Sequence, residues 1–426
     1  MDGERTMVNR AMPTSRPRGR RSRAFALATI AIVGGALGAA CNGLAGIEPA
    51  TLAVPDAPVT SDASGEVVVE AGDPNVCTSG QWPPLPTSAV AGGSIAFDAA
   101  VHTVGISLSS PGSLPLGYNL DATCTCPGPE SCVGAVGKQH CDDSSGRDTS
   151  LNAAVFDVLT AIPGFSESSL NDAIAKGQWS VLIEISDWNG LPDDAQVTAA
   201  LKLSPGIHDK TKPPTWEGAD TWDVDTASVD AITGAPLVVD HAAYVTGGTF
   251  VSTRADGARL DLLINGENFS VKFQQTVITA RILSLGGASG DAGADADADA
   301  DATSGPTLDA AGDGGSGAAP YQLVDGMIAG RWATADALQA IGGLPDPIST
   351  GKLLCDPTSA LGSTAVSLIC DNADLPVDSS LDRTGAPCTA ISFAVRFTAV
   401  SAREGVVRSN GIAPITCSHT VADCAH

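Results

Sequence analysis

The sequence predicts a mainly β protein with a few short helices, built as a β-sandwich or jelly-roll-like body, tied by disulfides and carrying a disordered acidic insertion. Three observations lead there. Apolar and β-branched runs of strand length recur between Gly, Pro, Asn and Asp clusters, whereas helical periodicity is confined to short stretches. Eleven cysteines occur in a chain whose N-terminus has the parts of an export signal. A Gly/Asp/Ala tract at 286–319 holds seven Asp and no basic or aromatic residue, so it buries too little surface to offset its ordering entropy.

Residues 1–40 read as a signal peptide. Seven Arg in the first 23 residues precede seventeen uncharged, mostly apolar residues at 24–40, and small residues Gly38, Ala39 and Ala40 lead to Cys41. Arg20-Arg21 form a twin-arginine pair, but Arg23 interrupts the apolar continuation such a signal needs, which favours the general secretory route. Residues 41–76 are polar, contain Pro and carry six acids with no Lys or Arg, as expected of a disordered tether. The whole chain has 23 basic and 48 acidic residues, and loss of residues 1–40 leaves 16 and 46. A charge this negative argues against nucleic-acid binding and against a membrane anchor made of basic residues.

Residues 77–285 carry most of the strand signal. A helix is predicted over 150–162 and another over 167–175, followed by strands at 179–185 and 196–203, a strand pair across Gly247-Gly248, and a hairpin, 258–264 and 269–282, across Asn265-Gly266. After the linker or inserted loop at 286–319, residues 320–426 add strands at 321–329 and 391–400 and a short helix at 334–341, completing the same body. With Cys41 set apart, five cysteines precede the tract (Cys77, Cys124, Cys126, Cys132 and Cys141) and five follow it (Cys355, Cys370, Cys388, Cys417 and Cys424). Both counts are odd, so full pairing within one chain demands a disulfide across the tract.

Local catalytic motifs are missing. The six His share no metal-ligand spacing, and the Gly312–Gly317 GxGxxG string lies in the acidic tract with no strand before it. Three patches invite a ligand. Asp142, Asp143 and Asp148 form an acidic turn that could hold calcium through oxygen ligands or cap the helix that follows. Asp187, Trp188 and Asn189 form a turn in which an indole beside amide and carboxylate groups suits a sugar face and its hydroxyls. Trp216 and Trp222 flank a polar loop of the same type. Lipid attachment is expected at Cys41.

The segment 37–41 (LGAAC), the Asp-Ala tract and the run 325–332 (DGMIAGRW) together resemble envelope lipoproteins of myxobacterial-type Gram-negative bacteria. The resemblance covers a small part of the chain. It implies a lipid-anchored position in the cell envelope and no particular activity. Asn42 is unlike the Asp that retains such proteins at the inner membrane, which directs the expectation to the outer membrane. The expected role is a non-catalytic surface binding protein, with glycan as ligand class, or a structural one. The alternative is a β-rich envelope glycan hydrolase, with Glu184 and Asp187 as its carboxylates.

Overall fold

The computed structural model describes residues 80–108, 115–126, 130–135, 140–143, 145–155, 164–255, 257–264, 267–285, 320–411 and 424. The expected signal peptide, Cys41, the expected tether and the acidic tract lie outside them.

Among the described residues ten strands form one sheet: β1 (Ile95–Gly105), β2 (Ser180–Trp188), β3 (Asp194–Ser204), β4 (Thr221–Asp225), β5 (Val238–Thr246), β6 (Thr249–Ser252), β7 (Arg259–Ile264), β8 (Glu267–Ser284), β9 (Tyr321–Ala333) and β10 (Ala390–Arg408). Helix α1 (Glu167–Ala175) lies between β1 and β2. Helices α2 (Thr334–Gly342) and α3 (Gly362–Asp371) lie between β9 and β10.

The expected sandwich or jelly roll is not what forms. The sheet closes into an eight-stranded antiparallel barrel, in the order β1-β2-β3-β5-β6-β8-β9-β10, and β10 returns to pair with β1 from Asp98↔Ala402 to Gly105↔Arg396. Each barrel strand therefore neighbours the one next to it in the wall's chain order. Alternation in the sequence reports a strand buried on one face, and both architectures satisfy it. What separates them is whether the first and last strands meet, which local pattern does not encode.

Inward positions supply the core: Val181, Ile183 and Ile185 on β2, Val197, Ala199 and Leu201 on β3, and Phe393, Val395 and Phe397 on β10. An eight-stranded barrel is just wide enough to be filled by side chains or to hold one small ligand. This one is filled. Between Val101, Trp179, Leu260, Ile328 and Phe397 the free space is about 10 Å³, the room of a single water. Two close approaches assist the fit. A Cβ at Gly326 would stand 2.6 Å from the Phe397 ring, and one at Gly330 would stand 2.8 Å from that of Phe273.

The connections from β1 to β2, from β3 to β5 and from β9 to β10 leave the end where β10 begins, whereas the one from β8 to β9 leaves the opposite end, and α1 helps close the first end with Leu170 and Ile174. α1 starts where its chemistry places it: Ser166 accepts from Ser169 N–H at the N-cap, and Glu167 sits in the first turn. At the opposite end short hairpins join β2 to β3 and β5 to β6. There Phe97, Trp188 and Tyr321 seal the barrel, with ring centroids 4.8–6.3 Å apart.

Candidate functional site

The connections that do not close the barrel lie on its outer wall and form two further apolar patches. One covers Ala100 and Leu182 with Ile207, Trp222, Val224 and Val229. The other sets Leu116 and Leu120 against Val277, Met327, Ala329 and Ala394.

The predicted aromatic sites fall in packed surroundings. Trp188 is buried and donates its indole N–H to Leu191 O at 3.0 Å. Asp187 accepts from the Thr198 hydroxyl, and Asn189 donates to Val90 O and Asp193 O. Asp194 holds this hairpin by accepting from Gly92, Asn189 and Gln196 N–H. Trp222 is wholly buried in the first outer patch. Trp216 is half-buried, stacked on His102 at 4.3 Å and tilted against Trp222 at 5.3 Å. Its backbone is left-handed (φ 60°), held by Asp220, which accepts its N–H at 2.6 Å. The three indoles thus pack into the body and do not line up as an open platform. The loop holding Trp216 and Trp222 also supplies β4, which pairs in parallel with the overhang of β10.

Three carboxylates converge on the barrel's outside: Asp98, Glu184 and Glu404 are close enough to share an ion. Lys202, almost wholly buried, already stands among them, 2.8 Å from Glu184 and 3.5 Å from Asp98 and also bonded to Glu404. Its ammonium supplies the countercharge there. Burial raises the Asp98 carboxyl and Lys202 opposes that shift.

A different cluster forms over the second outer patch, from segments far apart in sequence. Tyr118 anchors it by a hydroxyl–hydroxyl bond to Thr279 at 2.6 Å. Asp148 is buried, and its Oδ2 accepts the Leu120 N–H at 2.6 Å, so it does not cap the following helix. That predicted helix appears among the described residues as the single turn Leu151–Val155. Asp142 accepts from Thr125 N–H at 2.9 Å and is hydrogen-bonded to Asp148. Asp374 accepts both the N–H and the hydroxyl of Ser392 on β10, at 2.8 and 2.6 Å. Asp121 accepts from Thr123 N–H through Oδ1, while its buried Oδ2 has no hydrogen-bond partner.

The electrostatics follow from that crowding. Burial, with the Asp121 charge adding to it, pushes the Asp142 carboxyl up to about 6 against the Thr125 N–H. Burial and the charges of Asp121, Asp374 and Asp142 lift Asp148 well above the usual carboxylate range. Burial also raises Asp121 and Asp374. The neighbouring Arg331 is bidentate to Asp382 at 2.6 Å and is further engaged by Pro376 O and Leu120 O.

Of the expected calcium ligands, Asp142 and Asp148 come together and Asp143 does not join them. Asp143 accepts from Ser145 N–H, the Ser145 hydroxyl and Arg147 N–H within its own turn. Asp121 and Asp374 escaped sequence reasoning, because 226 residues separate Asp148 from Asp374.

The cysteines around the cluster are oxidised. Cys126 pairs with Cys141, Cys132 with Cys388 and Cys370 with Cys424, and Cys124 and Cys355 are disulfide-bonded too. Cys132–Cys388 is the bridge across the acidic tract that the odd counts demanded. Comparison with known protein families, curated proteins and solved structures finds no match.

Proposed function

We propose that the chain is an exported protein, anchored in the outer membrane by lipid on Cys41, whose disulfide-tied barrel acts without catalysis as a binding or structural element of the cell envelope. The observation that carries this reading is the filled barrel. With about 10 Å³ free between the described core residues Val101, Trp179, Leu260, Ile328 and Phe397, a partner meets the outer wall and the end loops. The disulfides suit an oxidising compartment, and the N-terminal sequence supplies the route and anchor. An envelope or extracellular glycan remains the ligand class, with Trp216 as the most accessible of the three indoles.

One observation favours the hydrolase as a second reading. Asp142 and Asp148 are hydrogen-bonded carboxyls both pushed upward by burial, as in a carboxyl pair that shares one proton. Glu184 and Asp187 are engaged by Lys202 and Thr198. A glycan array on the lipidated full-length exported chain separates the readings. Binding lost in Trp216→Ala, with the fold intact, supports the glycan ligand. Turnover abolished by Asp142→Asn moves the protein to the hydrolases. Neither result removes the glycan and leaves the structural role. Intact mass of the envelope form, with acyl mass on Cys41, tests the anchor.

A further inference from the structure

Lys202 is an amine enclosed by carboxyls. Alternation along β1, β2 and β3 sends Ala99, Ile183 and Leu201 into the core, and so puts Asp98, Glu184 and Lys202 on the outer wall. Across the ladder Asp98 stands opposite Glu184, and Lys202 stands opposite Leu182. Glu404 arrives from the overhang of β10, beside Trp222 on β4. Like charges directly opposite one another repel, and here the oxygens of a third carboxyl lie within 4.8 Å of both. The Lys202 nitrogen faces all three, 2.8 Å from Glu184, 3.5 Å from Asp98 and in contact with Glu404.

The surroundings suit chemistry between these groups. The Lys202 side chain is only 5 % exposed, and its neighbour Leu182 belongs to the outer apolar patch with Ala100 and the wholly buried Trp222. An amine shielded from water is a nucleophile once it has given up a proton. Burial raises the Asp98 carboxyl, as a carrier of that proton requires. Glu404 is 37 % exposed, so a water released there can leave. Groups held in contact on rigid strands react with effective molarities of about 10⁵–10⁸ M, which offsets the preference of acid and amine to stay separate in water.

We propose that Lys202 and Glu404 condense to an amide, an isopeptide bond that joins β3 to β10 across the outer wall. The ammonium passes one proton to Asp98. Nζ then attacks Cδ of Glu404, the C–N bond forms, and one C–O bond breaks. The departing oxygen leaves as water with two protons, one returned by Asp98 and one from the attacking nitrogen. The three ammonium hydrogens thus end as one amide hydrogen and one water, and the charges of the pair cancel without oxidant or cofactor. Glu404 is the acceptor because Trp222 beside it shields the amide, whereas Glu184 stands opposite the proton carrier Asp98. The bond spans the run β3-β2-β1-β10 and ties residues before the acidic tract to residues after it, as Cys132–Cys388 does, but independently of redox conditions. This inference is independent of the glycan ligand and of the lipid anchor.

The test is a tryptic map of the full-length exported protein after reduction and alkylation, read by mass spectrometry. The expected product is a branched peptide in which 404–408 hangs from 177–210, uncut after Lys202 and lighter than the two separate peptides by one water. Cut within 286–319, the unaltered chain should also stay in one piece under reductant and denaturant. Lys202→Arg gives separate peptides and separable fragments, and Cys132–Cys388 in its non-reducing map shows that it still folds. Asp98→Asn lowers the joined fraction at least about tenfold, in line with losing a proton carrier. Cleavage after Lys202 together with a free 404–408 peptide in the unaltered protein overturns the proposal. So does a branch from Lys202 to Glu184 in place of Glu404. A joined fraction unchanged by Asp98→Asn overturns the role given to Asp98.

Discussion

Arg331 lies on the outer side of β9 with no exposed surface, and its guanidinium serves three groups on two segments: Asp382, Pro376 O and Leu120 O. A planar fork with donors in two directions does this, and no other side chain replaces it. Arg331→Met should cost about 3–5 kcal/mol by urea unfolding, since it leaves the Asp382 carboxylate and two carbonyls unpaired. Adding Asp382→Asn should recover part of that loss, and a double-mutant cycle measures the coupling. The sequence predicted a strand at 321–329, which stops two residues short of Arg331. It could not say that the outward face of that strand is covered, because the cover comes from residues 120 and 376–382.

Elements with a local cause were legible. α1 has the predicted bounds, β7 and β8 flank the Asn265-Gly266 pair, and β5 and β6 turn at Gly247-Gly248. β1 escaped notice, although it supplies the closing pair of the barrel. Its register shifts between Val101 and Thr103, which breaks the alternation that marks a strand, and Asp98 and His102 make its outward face polar. β4 looked like a polar loop because Asp223 and Asp225 alternate with Trp222 and Val224. Yet Asp223 is wholly buried, held by Arg408 at 2.6 Å and His208 at 2.7 Å. Trp188 shows the same limit in a side chain. An indole in an Asp-Trp-Asn-Gly turn reads as a ligand platform or, more often, as a plug, and the neighbours Phe97 and Tyr321 make it a plug. Trp188→Ala should therefore cost about 3–5 kcal/mol and lower the thermal midpoint, whatever ligand is present. A variant that keeps full stability and loses only ligand binding would contradict that placement.

At the scale of the molecule, the link between distant parts was countable before it was visible. Odd cysteine numbers on either side of the acidic tract required a crossing bond, and Cys132–Cys388 provides it over a separation of 256 residues. Cutting a Lys202→Arg chain within 286–319 should leave the two fragments joined on a non-reducing gel and part them only under reductant and denaturant. Removing that bridge by Cys132→Ser with Cys388→Ser should cost about 2–4 kcal/mol. The balance of charge was legible as a total and not as a map. The acidic cluster draws on Asp121, Asp142, Asp148 and Asp374, with His140 facing Asp374 and with Arg331 and Asp382 beside Asp121. Its effect on stability has a definite sign. All four carboxyls are raised in the folded protein, Asp142 to about 6, mainly by burial. The folded state therefore binds more protons than the unfolded chain once pH exceeds the ordinary Asp value, about 3.9. The stability these protons confer is fully present below that value and is lost as pH rises through the folded values. The protein should then unfold at a lower temperature at pH 7.5 than at pH 5.5, and thermal midpoints at the two pH values read the effect. A protein more stable at pH 7.5 than at pH 5.5 would mean that groups elsewhere dominate this range.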